Sequence, residues 1–108
     1  MTDDVLRKLA DVLEQRKLAD PGKSYTASLY AGGVNATLKK IGEEATEVIL
    51  AANSGEKAAI IHETADLWFH TLIMLAQLGL GPEDILVELE QRFGISGLEE
   101  KAGRNKPE

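Results

Sequence analysis

The chain has 108 residues, which is enough for one domain with one hydrophobic core but not for two. Its 44% hydrophobic content is typical of a packed globular chain, and its formal net charge of -6 opposes non-specific binding to nucleic acid or anionic membranes. The absence of cysteine excludes disulfides, thiolate metal sites and cysteine nucleophiles. We therefore expect a single domain over residues 1–108, without nucleic-acid or membrane partners.

We expect no targeting segment and no membrane-spanning segment. Its first residues lack the basic region and the apolar run of a secretion signal. The most apolar stretch, 67–80, is interrupted by His70, Thr71 and Gln77, and it is shorter than the ~20 apolar residues of a membrane-spanning helix. These features predict a soluble, cytoplasmic protein.

Apolar residues recur at helical spacing along most of the chain, and strand signals are nearly absent. A first helix is predicted up to the breaker at 20–22, and a loop at 23–26 leads into a short helical turn. Long helices are predicted over 35–53 and about 56–78, and the tight connection between them favours antiparallel packing. A last helix begins at the Gly81–Pro82 start signal. The expected fold class is a compact all-α bundle of about four to five helices.

The apolar faces predict a subunit interface. In the helix over 56–78, Ile61, Ala65 and Trp68 share one face, and 72–76 is apolar nearly all round. A chain this small cannot easily bury every side of such a helix, so we expect a subunit interface to cover part of it. The last helix is expected to turn its apolar side chains toward the core: Ile85, Leu86, Leu89 and Phe93. The tail over 95–108 is charged and is predicted to be partly disordered and flexible.

Acidic residues recur on the two long helices. Glu43, Glu44 and Glu47 stand three or four residues apart, and Glu63 and Asp66 repeat the three-residue spacing on the following helix. Residues so spaced are neighbours on a helix surface. If the two helices form an antiparallel hairpin, the acidic groups face one another.

Converging carboxylates repel unless a cation neutralises them. Carboxylate oxygens suit Mg²⁺, or Mn²⁺ as a substitute, better than zinc, and such ions polarise phosphate oxygens. The simpler alternative is a solvated acidic face, which is the usual role of acids at helical spacing. Two observations favour a metal site: Glu63 and Asp66 interrupt an otherwise apolar helix, and the acidic pattern occurs on both adjacent helices.

The acidic motifs carry a family resemblance. The runs KIGEEATE at 40–47 and ETAD at 63–66 resemble the metal motif of the all-α nucleotide pyrophosphatases related to MazG. More narrowly, these runs resemble phosphoribosyl-ATP pyrophosphatases when they are taken with SYT at 24–26, ADL at 65–67 and the helix over 81–94. The resemblance implies a magnesium-dependent, dimeric helical enzyme. It would hydrolyse phosphoribosyl-ATP to phosphoribosyl-AMP and pyrophosphate, the second step of histidine biosynthesis.

The resemblance also implies roles for individual residues. The metal ligands would be Glu44, Glu47, Glu63 and Asp66. Glu43 is either a further ligand or a group that orients the attacking water, so Glu43 and Glu44 are the candidate catalytic residues. Lys40 either pairs with Glu44 or reaches a phosphate. The remaining candidates for substrate binding are Lys23, Ser24 and Tyr25, which offer a cation, hydroxyls and backbone donors near a helix start.

Several alternatives stay open or are rejected. Ser24 could instead be an ordinary helix cap, Lys39 is expected to form a surface ion pair, and His70 is expected to be a hydrogen-bonded core histidine. A zinc-protease motif at 62–66 fails because its second histidine is replaced by Asp66. The rival functions are a house-cleaning pyrophosphatase for free triphosphates, a non-catalytic dimerisation module, and a di-iron bundle, which lacks its usual Glu-x-x-His motif.

Overall fold

The computed structural model describes residues 4–93, which form five α-helices and a short 3-10 turn at Arg16–Leu18. The helices are α1 (Val5–Gln15), α2 (Tyr25–Gly32), α3 (Val34–Ser54), α4 (Lys57–Gln77) and α5 (Pro82–Glu90). No strand occurs in this part of the chain. The predicted all-α bundle is therefore confirmed, whereas the tail predicted over 95–108 lies outside the described residues.

Helices α3 and α4 form an antiparallel hairpin. Each has 21 residues, and their mutual contact is the most extensive between two helices in the described range. Gly55 ends α3 with a φ of 75°, a left-handed conformation that glycine adopts without a Cβ clash. Because only Gly55 and Glu56 separate the helices, residues equally distant from Gly55 on α3 and α4 lie at similar heights along the hairpin.

The core lies where α1 and α2 pack on the C-terminal half of α4. Its buried cluster consists of Leu13, Leu29, Leu72, Ile73 and Leu75. Two polar contacts fix this end: the Tyr30 hydroxyl donates to the Leu13 carbonyl at 2.9 Å, and the Lys17 ammonium donates to the Ala76 carbonyl near the end of α4 at 3.0 Å. The N-terminal half of α4, which carries the acidic pair, therefore extends beyond the packed end.

Helix α5 does not have the buried face that its sequence predicts. It starts as expected, with Pro82 buried and the Asp84 carboxylate accepting from the Gly81 amide at 2.9 Å. The four side chains expected to face the core are nevertheless between 39% and 77% exposed: Ile85, Leu86, Leu89 and Phe93. The prediction was wrong because helical periodicity identifies an apolar face but not what covers it: α1 contacts α5 in the described range but leaves these four side chains exposed.

The N-terminal half of α4 also leaves its apolar face uncovered. Ile61 is 70% exposed and Trp68 is 59% exposed. The segment 72–76, from which a subunit interface was predicted, is instead mostly buried by the chain itself, because Leu72, Ile73 and Leu75 belong to its core. Within residues 4–93, no helix is both long and apolar enough to cross a lipid bilayer.

Candidate metal and nucleotide site

The hairpin brings the two acidic pairs to matching heights. Glu44 lies eleven residues before Gly55 and Asp66 lies eleven after it, while Glu47 and Glu63 are each eight residues from Gly55. At a rise of about 1.5 Å per residue, both levels lie roughly 12–17 Å from the turn. The antiparallel arrangement that the facing-pair hypothesis requires is therefore present.

Three side chains on α4 form the tightest acidic group. His62, Glu63 and Asp66 each offer a ligand atom, and these atoms lie within 4.8 Å of one another. Within the described residues, neither Glu44 nor Glu47 joins a cluster of three or more this close. The structure thus gathers half of the predicted ligand set and adds His62, which the sequence analysis considered only within a rejected zinc motif. The sequence could have indicated His62, because it stands four residues before Asp66 and residues so spaced are neighbours on a helix surface.

The charges and donor atoms of the site fit a hard divalent cation. In the part of the chain that the structure describes, no lysine or arginine nitrogen lies within 4.0 Å of the four predicted ligands: Glu44, Glu47, Glu63 and Asp66. The Glu63 side chain is only 23% exposed and that of Asp66 is 40% exposed, so water solvates these carboxylates incompletely. Oxygen donors of this kind suit Mg²⁺ or Mn²⁺.

Lys40 is the basic residue of this site. Its ammonium lies 3.5 Å from a Glu43 carboxylate oxygen, so Lys40 pairs with Glu43 instead of with Glu44, the partner that the sequence suggested. Interaction with Tyr25 raises the pKa of Lys40 most, partial loss of solvation lowers it, and Glu43 and Glu44 raise it further. Lys40 is therefore a protonated, positively charged group among the predicted site residues.

Tyr25, the first residue of α2, is linked to α4 through His70. The Tyr25 hydroxyl lies 2.7 Å from His70 Nε2, and His70 Nδ1 lies 2.8 Å from the Asp66 carbonyl oxygen. His70 is 5% exposed, which confirms the expected hydrogen-bonded core histidine. The sequence did not reveal its bond to Tyr25, which joins residues 45 positions apart; only the position of His70 one turn after Asp66 hinted at a role.

Ser24 is the helix cap that the sequence analysis gave as the alternative to substrate binding. Its hydroxyl accepts from the Ala27 amide at 3.2 Å and so caps α2, as serine commonly does at helix starts. Lys23, one residue earlier, is exposed. Substrate binding by these two residues remains a prediction.

Known proteins of one family are similar to this chain over nearly its whole length. The family model described as phosphoribosyl-ATP pyrophosphohydrolase matches residues 6–93. The chain is 63% identical over 101 residues to the phosphoribosyl-ATP pyrophosphatase of Methylococcus capsulatus, covering 94% of this chain and 96% of that protein. It is 52% identical over 104 residues to the phosphoribosyl-ATP pyrophosphatase of Chromobacterium violaceum, covering 96% of each. The chain therefore belongs to the phosphoribosyl-ATP pyrophosphohydrolase family.

Proposed function

We propose that this protein hydrolyses phosphoribosyl-ATP to phosphoribosyl-AMP and pyrophosphate, the second step of histidine biosynthesis, with Mg²⁺ as its cofactor. The observation that carries the proposal is the matching height of the two acidic pairs across the α3–α4 hairpin. Lys40 lies about one helical turn before Glu44 on α3. The names of both relatives support the choice of substrate. Because the substrate belongs to a biosynthetic pathway, the proposal includes a cytoplasmic location.

The proposed metal ligands are the four carboxylates Glu44, Glu47, Glu63 and Asp66, and Mn²⁺ is expected to substitute for Mg²⁺. When bound, the metal supplies charge neutralisation for phosphate oxygens and lowers the pKa of a bound water. His62 lies 3.4 Å from an Asp66 oxygen and is 72% exposed, so it can adjust to a filled or an empty site.

The remaining site residues bind the phosphate chain and orient water. Lys40 and Lys23 contribute positive charge to an otherwise acidic region, and Tyr25 follows Lys23 by two residues at the start of α2. Glu43, paired with Lys40 at 3.5 Å, and Glu44 next to it are the carboxylates proposed to orient the attacking water. In the reaction, water adds to phosphorus, one phosphoanhydride P–O bond breaks, and pyrophosphate leaves with the bonding electrons.

The proposed active form is a homodimer. The hairpin of a single chain exposes large apolar side chains, including Ile49 at 62% and Trp68 at 59%. An open apolar cavity of about 500 Å³ also lies between α1 and α4, with Val5, Leu9 and Trp68 among its lining residues. Exposed apolar surface that is continuous with such a cavity is typical of a protein interface, and a second copy of this chain is the partner that the family resemblance implies.

The test is pyrophosphate release from phosphoribosyl-ATP, compared with release from ATP and deoxynucleoside triphosphates. Glu44→Gln and Glu63→Gln are expected to lose turnover by more than about 100-fold while helical content is kept, because each removes a charged ligand or water-orienting group. Glu90→Gln, an exposed acid on α5, is the matched control and should remain active. Near-normal turnover in both site variants would contradict the assignment. Activity on the free triphosphates alone would move the function to nucleotide-pool cleansing.

A further inference from the structure

The hydrogen bonds of His70 have a defined direction. The Asp66 carbonyl can only accept, so His70 Nδ1, at 2.8 Å from it, carries the proton and donates. A neutral imidazole has one donor and one acceptor, which leaves Nε2 as an acceptor. The Tyr25 hydroxyl, 2.7 Å from Nε2, must therefore donate its only proton to His70.

This direction determines what Tyr25 can offer to the site. A phenol has one proton, and here His70 uses it, so the oxygen of Tyr25 presents only lone pairs to its surroundings. Such an oxygen cannot donate to a phosphate, but it can accept from an ammonium group. Tyr25 is 52% exposed and His70 is 5% exposed, so the acceptor oxygen lies at the surface and its anchor lies in the core.

Lys40 is a donor at the same height of the hairpin as His70. Lys40 lies fifteen residues before Gly55 and His70 lies fifteen after it, so the two are level across the hairpin. The ammonium has three donors, one of which is directed at Glu43. Among the described residues no hydrogen bond joins Lys40 to Tyr25 in this structure, so the contact proposed next belongs to the substrate-bound enzyme.

We propose that His70 is a positioning residue: it fixes Tyr25 as a hydrogen-bond acceptor, which holds the Lys40 ammonium when that group contacts the phosphate chain. This inference rests on the proposed function for the identity of the phosphate ligand. It differs from the simple expectation that the tyrosine hydroxyl itself donates to phosphate.

The first test is the tautomer of His70, read by ¹⁵N NMR of the substrate-free protein at about pH 8, where an unperturbed imidazole is neutral. The chain has two histidines, so a His62→Gln variant leaves His70 as the only imidazole to assign. We expect a protonated Nδ1 and an unprotonated Nε2. A protonated Nε2 would overturn the proposal, because Tyr25 would then accept from His70 and keep its own proton for other partners.

The second test is kinetic and uses three single variants. Tyr25→Phe removes the acceptor oxygen at an exposed position, and His70→Asn keeps a donor for the Asp66 carbonyl but has no atom that reaches Tyr25. Each is expected to raise KM for phosphoribosyl-ATP roughly tenfold with little change in kcat. His70→Gln places an amide oxygen near the Nε2 position and is expected to restore KM to within about threefold of wild type.

The double variant Tyr25→Phe/His70→Asn separates this proposal from a packing role. If His70 acts through Tyr25, the double variant has the KM of either single variant, whereas independent effects multiply. Multiplied effects, or equal KM values for His70→Asn and His70→Gln, would overturn the proposal. Circular dichroism checks that each variant folds, and Tyr25→Phe alone, at an exposed side chain, must still raise KM. A wild-type protein that is inactive on phosphoribosyl-ATP would refute the proposed function but not this inference. The NMR result, and the pyrophosphate affinities of the same single and double variants compared with wild type, would then decide whether His70 acts through Tyr25.

Discussion

Replacing Glu63 by Gln is expected to stabilise the metal-free protein, although it removes a proposed metal ligand. Oxygens of Glu63 and Asp66 belong to a group whose ligand atoms lie within 4.8 Å of one another. Without a cation, the two carboxylates repel each other, and neutralising one of them removes that repulsion. The usual effect of substituting a largely buried side chain, a loss of stability, is therefore expected to reverse at this position.

The size of the effect follows from the separation and the exposure of these groups. Two like charges about 5 Å apart repel by ~1 kcal/mol in water and by ~3 kcal/mol at an effective dielectric constant of 20. Since the Glu63 side chain is 23% exposed and that of Asp66 is 40% exposed, solvent screens the pair and the lower value applies. A gain of ~1 kcal/mol corresponds to a rise in Tm of about 4 °C for a domain of this size.

In Mg²⁺ we expect the wild-type protein to be more stable than Glu63→Gln, the reverse of their order in EDTA. At a concentration 100 times its Kd, a ligand that binds only the folded state stabilises it by ~2.7 kcal/mol, and Glu63→Gln should lose most of this gain. Thermal unfolding at about pH 8, first with EDTA and then with Mg²⁺, measures both effects, and Glu90→Gln serves as the control for removing a surface charge. The reasoning is refuted if Glu63→Gln lowers Tm in EDTA, or if Mg²⁺ raises the Tm of the variant as much as that of wild type.

Three further predictions concern phosphate binding, the core and the dimer. Lys40→Met should raise KM for phosphoribosyl-ATP by about tenfold or more in steady-state assays, whereas Lys39→Met, its exposed neighbour, should not, because only Lys40 of the two is proposed to contact phosphate. Leu13→Ala should cost ~2–5 kcal/mol in urea unfolding because Leu13 is 1% exposed, whereas Leu18→Ala, at a side chain 95% exposed, should cost almost nothing; equal costs would contradict the core assignment. Trp68→Ala should weaken the proposed dimer by ~2 kcal/mol or more, and an unchanged dissociation constant in sedimentation equilibrium would remove Trp68 from the interface.

The helices were predictable because local chemistry marks their ends. Gly55 can adopt the positive φ that stops α3, and Pro82 suits the first turn of α5 whatever the rest of the chain does. The acidic site was predictable in outline for a similar reason, since helix geometry alone makes Glu63 and Asp66 neighbours.

What the sequence did not reveal depends on contacts between distant segments. The bond between Tyr25 and His70 exists only because α2 packs beside α4, and neither residue has a local pattern that identifies its partner. The exposure of Phe93, at 77%, could not be read from periodicity either, because an apolar face looks the same whether another helix or another subunit covers it.

The position of His70 explains how α4 can serve both the core and the site. Toward its C-terminal end the helix is anchored by Leu72, Ile73 and Leu75, which are nearly inaccessible to solvent. Toward its N-terminal end it carries carboxylates whose mutual repulsion opposes folding. His70 lies between the two and bonds to the Asp66 carbonyl on one side and to Tyr25 on the other. A rigid helix that is packed at one end can hold like charges in place at the other, so the stability of the core offsets the cost of keeping the carboxylates of the proposed cation site close together.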